Sequence, residues 1–513
     1  MNISSLKELF EQCYPYENVS EFITIIKRIK KKHPIKLLKG PILLTYPNSV
    51  KNLSNLTQLL TQKSLHSYFK SVHILPMFKS NADGGFAASS YKEIDTSFGS
   101  WEDIKELSKT YEIMIDAIFN HTSNEHTWFQ KFQKEEKYYK KFYITYDEKF
   151  DYTSIVRPRT TPLFTTIKNK KVLTTFSPNQ VDLNLKEVRV FYELLYIIEY
   201  YIKHSISALR LDAIPYIIKK SHTSCSNLKE TYEFTKLLIG SIKYLNNTIS
   251  IVTEANFSDK ENFAYLSKSN SDYIYQFSFS HLLFYCMYHR DFSYFVKWFN
   301  KTKKVHKQSL FYISNHDGYA LSGIKRILKE EEFDTYISLL KQKNIKINYR
   351  QNQKTNIEEP YEVNSTFYSY LKDLDGNSVR EKYLLMLHIL TQMSGEILFY
   401  YLDLIGEEND VESYKKTKEN RSLHRRKFSL EEYEYKLETS EFFSQIQNYL
   451  KDRKLTQNMD VAISFSKPFL KIIKNSSKKQ YITYYNISNK KQEIKKKSII
   501  LEPFTFVTIE KNI

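Results

Sequence analysis

The chain is short of cysteine. Its three residues, Cys13, Cys225 and Cys286, are an odd number, lie far apart and include no CxxC pair. That excludes a disulfide framework and a cysteine-based zinc site, and it fits reduced thiols in a cytosol. Long hydrophobic runs are also missing. No uncharged apolar stretch approaches the ~18 residues of a membrane span, so no membrane partner is expected. The N-terminal segment MNISSLKELFEQCYP alternates charged with apolar residues and lacks the apolar core of a signal peptide. Glycine is scarce too, with 10 residues in 513, even in loops.

What is present argues for folding throughout. The hydrophobic fraction is 41% and the aromatic fraction 15%, far above what disorder tolerates. A chain of this length can bury a sizeable core. The formal charge of +18 raises the question of nucleic acid, since clustered lysines and arginines bind by neutralising phosphates. Here the densest runs, Lys27 to Lys32 and Lys490 to Lys497, sit at opposite ends of the chain, and the other lysines are interspersed with Glu and Asp. The excess therefore reads as a solvated basic surface, with no nucleic-acid partner.

Residues 1–39 read as an amphipathic helical extension, with Pro34 closing its second helix. After Gly40 the pattern changes. Eight short β-rich runs follow: PILLTY, SVHILPM, YEIMIDAIFN, SALRLDA, SIVTEAN, DYIYQF, LFYISNHD and GEILFYY, each followed by a helical stretch. Parallel strands need helical crossovers, so the spacing predicts an α/β fold, a (β/α)8 TIM barrel over 40–440. Two long interruptions, 122–182 after the third strand and 318–375 after the seventh, are predicted as insertions over the C-terminal face, where such barrels carry their sites. From 455 to 513 the runs VAISFS, FLKIIK, YITYYNIS and SIILEPFTFVTIE predict a small antiparallel β domain.

The carboxylates are placed for chemistry. Asp212 ends ALRLD, Glu254 ends IVTE and Asp317 ends FYISNHD, so three acids cap barrel strands at one end. Glycosidic cleavage with retention needs such a set: one carboxyl attacks the anomeric carbon while another protonates the leaving oxygen. An Asp after an apolar strand is by itself more often a turn or helix cap. Arg210, two residues before Asp212, strengthens the reading, because i and i+2 share one strand face and the guanidinium is expected to hold Asp212 ionised.

Four motifs, FNH (119–121), RLDA (210–213), TEAN (253–256) and NHD (315–317), occur in the order and at the barrel positions of the α-amylase family, which the chain resembles. ADGGFAASSY (82–91) is similar to the D-x-G-F segment of the sucrose-phosphorylase-like branch. RPRTTPLF, TTFSPNQVDLNL, TSC, YEVNSTFYSYL and ENRSLHRR look like segments of the phosphorylases acting on sucrose 6-phosphate and glucosylglycerate. The resemblance implies Asp212 as nucleophile, Glu254 as general acid/base and Asp317 as the acid that steadies the oxocarbenium-like transition state. It puts His121, Arg210 and His316 around a bound glucose. Asp83 would grip the far hydroxyl with Arg421 or, preferably, Arg425, and Phe86 would stack on the sugar. Of the two arginines on the first insertion, Arg157 and Arg159, the latter is the better match for phosphate binding, with Tyr361 beside it. Glu362 replaces the glutamine of the sucrose-specific enzymes and would shape the acceptor site. No metal and no organic cofactor are implied. The partners would be an α-glucoside and inorganic phosphate, the protein a cytoplasmic monomer or homodimer. Met77 and Lys79 depart from the family's PFFP, as do Ala88 to Ser90 from the bulkier residues after GF, which alters the rim of the site.

Overall fold

The computed structural model describes residues 1–29, 38–63, 65–352 and 357–513. All eight barrel runs are strands: β1 (Ile42–Thr45), β2 (Ser71–Ile74), β3 (Glu112–Ala117), β4 (Ile206–Leu211), β5 (Ser250–Thr253), β6 (Tyr273–Tyr275), β7 (Ser309–Tyr312) and β8 (Glu396–Tyr400). They pair in parallel, each with its chain neighbours, and β8 closes on β1 with Leu398 opposite Ile42. Five of the eight are buried at every position, as strands covered by helices outside and side chains inside must be.

The N-terminal helices α1 (Ile3–Cys13) and α2 (Val19–Ile29) are part of the same core. Phe10 stacks on Phe22 with ring centroids 4.4 Å apart, and the Tyr14 hydroxyl donates to the Leu185 carbonyl at 2.8 Å, which ties the extension to the barrel's flank. The expected helix end at Pro34 lies outside the described residues.

Both interruptions carry antiparallel structure. In the first, His121–Ser123 pairs with Gln180–Asp182, and Phe164–Ile167 with Lys170–Leu173. In the second, Tyr319–Ala320, Ile357–Asn364 and Lys346–Asn352 form a three-stranded sheet. Helix Glu441–Thr456 spans the interval between the two stretches assigned to barrel and C-terminal domain. Its buried Arg453 donates to the carbonyls of Thr391, Met393 and Gly395 beneath the barrel.

The C-terminal sheet holds Asp460–Ser466, Phe469–Asn475, Lys479–Asn486 and Phe506–Asn512. The last predicted run is divided in two: Ile499–Leu501 pairs instead with Gln492–Ile494. Pro503 offers no N–H to a ladder and Phe504 is left-handed at φ 53°, so the chain turns before entering the main sheet.

Candidate active site

Asp212 is the first residue after β4, Glu254 the first after β5, and Asp317 follows β7 by five residues, so all three enter one cleft at the C-terminal face. Asp83, Phe86, His121, Arg159, Tyr361 and Arg421 line the same cleft. Its free volume is only about 50 Å³, because charged side chains fill it. A larger cavity of about 570 Å³ lies on the other side of Asp83, but none of the three strand-end carboxylates reaches it, so the chemistry belongs to the small cleft.

Arg210 organises the floor. Its Nη1 donates to Asp212 Oδ1 at 2.6 Å and to Asp116 Oδ1 at 2.5 Å, and Nη2 stands 3.8 Å from Asp317 Oδ2. Beside it, Glu254 Oε2 accepts from the Ala213 N–H at 2.9 Å. Ala213 adopts a left-handed φ of 50°, a strained geometry for an L-residue, and this turn aims its N–H at the neighbouring strand end.

Electrostatics separates the acids. Burial lifts Asp212 to about 8, with Arg210 opposing and Glu254 adding to the rise. Burial also raises Glu254, again opposed by Arg210. Arg210 opposes the rise on both acids, and the two buried carboxyls together retain a proton. Asp317 goes the other way. Burial would raise it, but His316, Arg421, Arg210 and Arg425 together hold it below the usual carboxylate range.

Asp83 is gripped from three sides. Arg421 Nη1 reaches both of its oxygens at 3.1 Å, Arg159 Nη2 reaches Oδ2 at 3.1 Å, and Arg425 Nη1 reaches Oδ1 at 3.4 Å. These cations overcome burial and keep it ionised. Arg421 and Arg425 of ENRSLHRR therefore both meet Asp83, with Arg421 the nearer. Arg421 also contacts Asp317 Oδ1 at 3.1 Å and makes a two-pronged bond to Glu362 at 2.9 and 3.1 Å. Arg425 backs the wall, its Nε donating to the His316 carbonyl at 2.9 Å. Gly84, at φ 62°, lets that wall close, since a Cβ there would sit 2.6 Å from Arg425 Nη1.

The histidines are buried and neutral. Burial lowers His121, whose Nε2 donates to the Phe86 carbonyl at 2.8 Å, and pushes His316 down to about 3. Phe86 stacks on His316 at 5.1 Å and 5°, so one face of its ring is already covered. Arg157 is fully buried, with one bond to the Thr174 carbonyl at 3.4 Å, whereas Arg159 faces the cleft. Tyr361 and Glu362, adjacent on one strand, diverge. Tyr361 faces the cleft and accepts from Asn256 Nδ2 at 3.1 Å, while buried Glu362 turns to Arg421 and Asn348.

The motifs hid further lining residues: Phe176 and Gln180 in TTFSPNQ, Asn256 in TEAN, and Tyr216 just after RLDA. Phe176 and Tyr216 meet edge to face at 5.5 Å. Their common anchor is Asp182, which accepts from Thr175 N at 2.9 Å and pairs with Lys219 at 2.8 Å, joining the first insertion to the loop after β4. TTFSPNQVDLNL carried the signal, but an aromatic there has no periodicity that separates lining from packing. Among the described residues no group of His, Cys, Asp and Glu is arranged to hold a metal, and no helix is long and apolar enough to cross a membrane.

Comparison with known proteins agrees with this geometry. Residues 66–322 match the family model of the alpha-amylase catalytic domain. Glucosylglycerate phosphorylase of Spirochaeta thermophila is 31% identical over 72% of this chain, a match spanning 64% of that relative's length. The Escherichia coli enzyme of the same name is 28% identical over 80% of this chain and 75% of its own. The crystal structure of sucrose 6F-phosphate phosphorylase from Thermoanaerobacter thermosaccharolyticum superposes with a TM-score of 0.80 over 94% of this chain and 98% of that one. At 23% identity, that likeness is one of fold. With eight parallel strands closed into a barrel, three carboxylates at its C-terminal mouth and a catalytic-domain match over half its length, the chain belongs to the alpha-amylase family.

Proposed function

We propose that the protein is a retaining α-glucoside phosphorylase. It transfers a glucosyl unit from a glucosylglycerate-type or sucrose-type donor to inorganic phosphate, giving α-glucose 1-phosphate. The observation that carries the reading is the division of labour among the acids. Asp212 and Glu254 share a retained proton, while Asp317 is held ionised beside them. Arg210 touches Asp212, and among the described residues no ion pair reaches Glu254. The shared proton therefore belongs on Glu254 and the negative charge on Asp212, as acid and nucleophile require.

In the first step Glu254 gives its proton to the leaving oxygen as Asp212 attacks the anomeric carbon, forming a β-glucosyl ester. In the second, a phosphate oxygen attacks the same carbon from the vacated side, Asp212 departs, and the phosphate returns a proton to Glu254. Asp317 faces the positive charge that develops in both steps. Asp83, clamped by arginines, accepts a hydroxyl at the far end of the glucosyl ring and closes the site behind a single unit. Arg159, on the rim with Tyr361, suits a phosphate oxygen pair. The names of the relatives support phosphate as acceptor, and inorganic phosphate fits a cytosolic setting.

The test is a panel of α-glucosides, glucosylglycerate and sucrose among them, assayed for release of α-glucose 1-phosphate with and without phosphate. Release that depends on phosphate supports the reading. Equal donor cleavage without phosphate, yielding free glucose or transfer to another sugar, would make the protein an α-glucosidase or a transglucosylase.

A further inference from the structure

Behind the cleft, a line of buried polar groups runs across three strands. Asp116 on β3 is the register partner of Arg210 on β4, and on β2 His73 pairs with Met114, two residues before Asp116. Side chains two apart on a strand share a face, so His73, Asp116 and Arg210 all point into the barrel, and diagonal neighbours on adjacent strands are within reach of long side chains. His73 Nε2 stands 3.0 Å from Asp116 Oδ2, Asp116 Oδ1 stands 2.5 Å from Arg210 Nη1, and the same Nη1 stands 2.6 Å from Asp212 Oδ1. His73 is 1% exposed and Asp116 3%.

From this geometry we infer that His73 is a positioning residue for the nucleophile, acting on Asp212 through Asp116 and Arg210. The inference rests on the reading of Asp212 as the nucleophile. One guanidinium nitrogen serves two carboxylates, and where it sits depends on the orientation of Asp116. A carboxylate bonded through only one oxygen is free to rotate; His73 holds the other. His73 Nδ1 has no partner among the described residues, so Nε2 carries the proton and donates, because an N–H at Nδ1 would be a buried donor without an acceptor. Burial would raise Asp116, but Arg210 and then His73 hold it low, so the bond is charge-assisted. Neither His73 nor Asp116 lines the cleft, which makes theirs a role in orientation.

The test compares His73→Leu, which removes the donor, with His73→Gln, whose amide can still reach Asp116. α-Glucosyl fluoride serves as donor, and rates are normalised to the fraction of Asp212 labelled by 2-deoxy-2-fluoroglucosyl fluoride. The expected result is a fall in kcat of about tenfold or more for His73→Leu, with donor KM changed less than about threefold and most of the loss restored in His73→Gln. On an Asp116→Asn background, His73→Leu should cost little more. If the leucine variant does not fold, His73→Asn, too short to reach Asp116, replaces it. A normalised kcat within about twofold of the parent, or equal damage from Leu and Gln, would overturn the inference. Failure of the parent protein to be labelled at Asp212 would instead overturn the catalytic reading, and this inference with it.

Discussion

The carboxylate of Glu254 accepts a hydrogen bond at 2.9 Å from the backbone N–H of Ala213, the residue that follows Asp212. One peptide unit thus links the two acids, so their relative position does not depend on a mobile side chain. The amide oxygen of glutamine can accept the same bond. Glu254→Gln should therefore preserve the geometry and remove only the proton. Natural glucosides should lose about 10²- to 10⁴-fold in kcat/KM, while glucosyl fluoride, whose leaving group needs no proton, should lose less than about tenfold. Comparable losses with both donors would assign the acid elsewhere.

The retained proton sets a pH dependence. Burial raises both members of the pair, so the proton on Glu254 is held above the usual carboxylate range and is lost on the alkaline side. The kcat/KM profile for a natural donor should fall on its alkaline side, at a pH above the usual carboxylate range, and the fall should be absent from Glu254→Gln assayed with glucosyl fluoride. An alkaline limb that persists in the variant would mean that another group titrates.

Asp212→Asn keeps the shape of the site and its contact with Arg210 but cannot form the ester. Turnover should drop by about 10⁴-fold or more, and mass spectrometry should find no glucosyl adduct at this position. Near-normal turnover would end the assignment of the nucleophile.

Arg159 bridges the first insertion to Asp83 at 3.1 Å, and Asp83 keeps Arg421 and Arg425 without it. Arg159→Ala should leave glucosyl transfer to water intact while raising the phosphate concentration needed for half-maximal rate, by about 1.5–3 kcal/mol for a lost charged hydrogen bond. Phosphate titration at fixed donor measures this, and an unchanged dependence would remove Arg159 from the anion site.

Lys474 is 2% exposed at the join between C-terminal sheet and barrel, its Nζ 3.0 Å from Thr456 Oγ1. Burial, reinforced by Arg453, lowers its pKa from 10.5 to about 7. Below about 7 the amine is charged in both folded and unfolded states, and the folded protein bears the full cost of burying it. Between about 7 and 10.5 the unfolded chain holds the extra proton, so this contribution to stability improves as pH rises. Lys474→Met should stabilise the protein by about 1–4 kcal/mol at pH 6, and by progressively less toward pH 10. Denaturant melts at the two pH values decide it; equal gains would mean that the lysine stays charged when folded.

The eight strands, their parallel order and the common end of Asp212, Glu254 and Asp317 were legible in the sequence. So was Arg210 beside Asp212. These follow from local rules: short apolar runs separated by helices form a closed parallel sheet, and a residue just past a strand lies at its mouth. The last run, SIILEPFTFVTIE, shows the limit. Its apolar pattern continues through Pro503, whose missing N–H decides the break only when the neighbouring strand is known. Tertiary structure alone decided that Arg421, ahead of Arg425, joins Asp83, Asp317 and Glu362. It also turned Glu362 away from the cleft, brought Phe176 and Tyr216 into it, and set His73 behind Arg210 and Asp212. Those partners come from segments up to hundreds of residues apart, and a side chain's charge state and contacts depend on which of them the closed barrel brings within 3 Å.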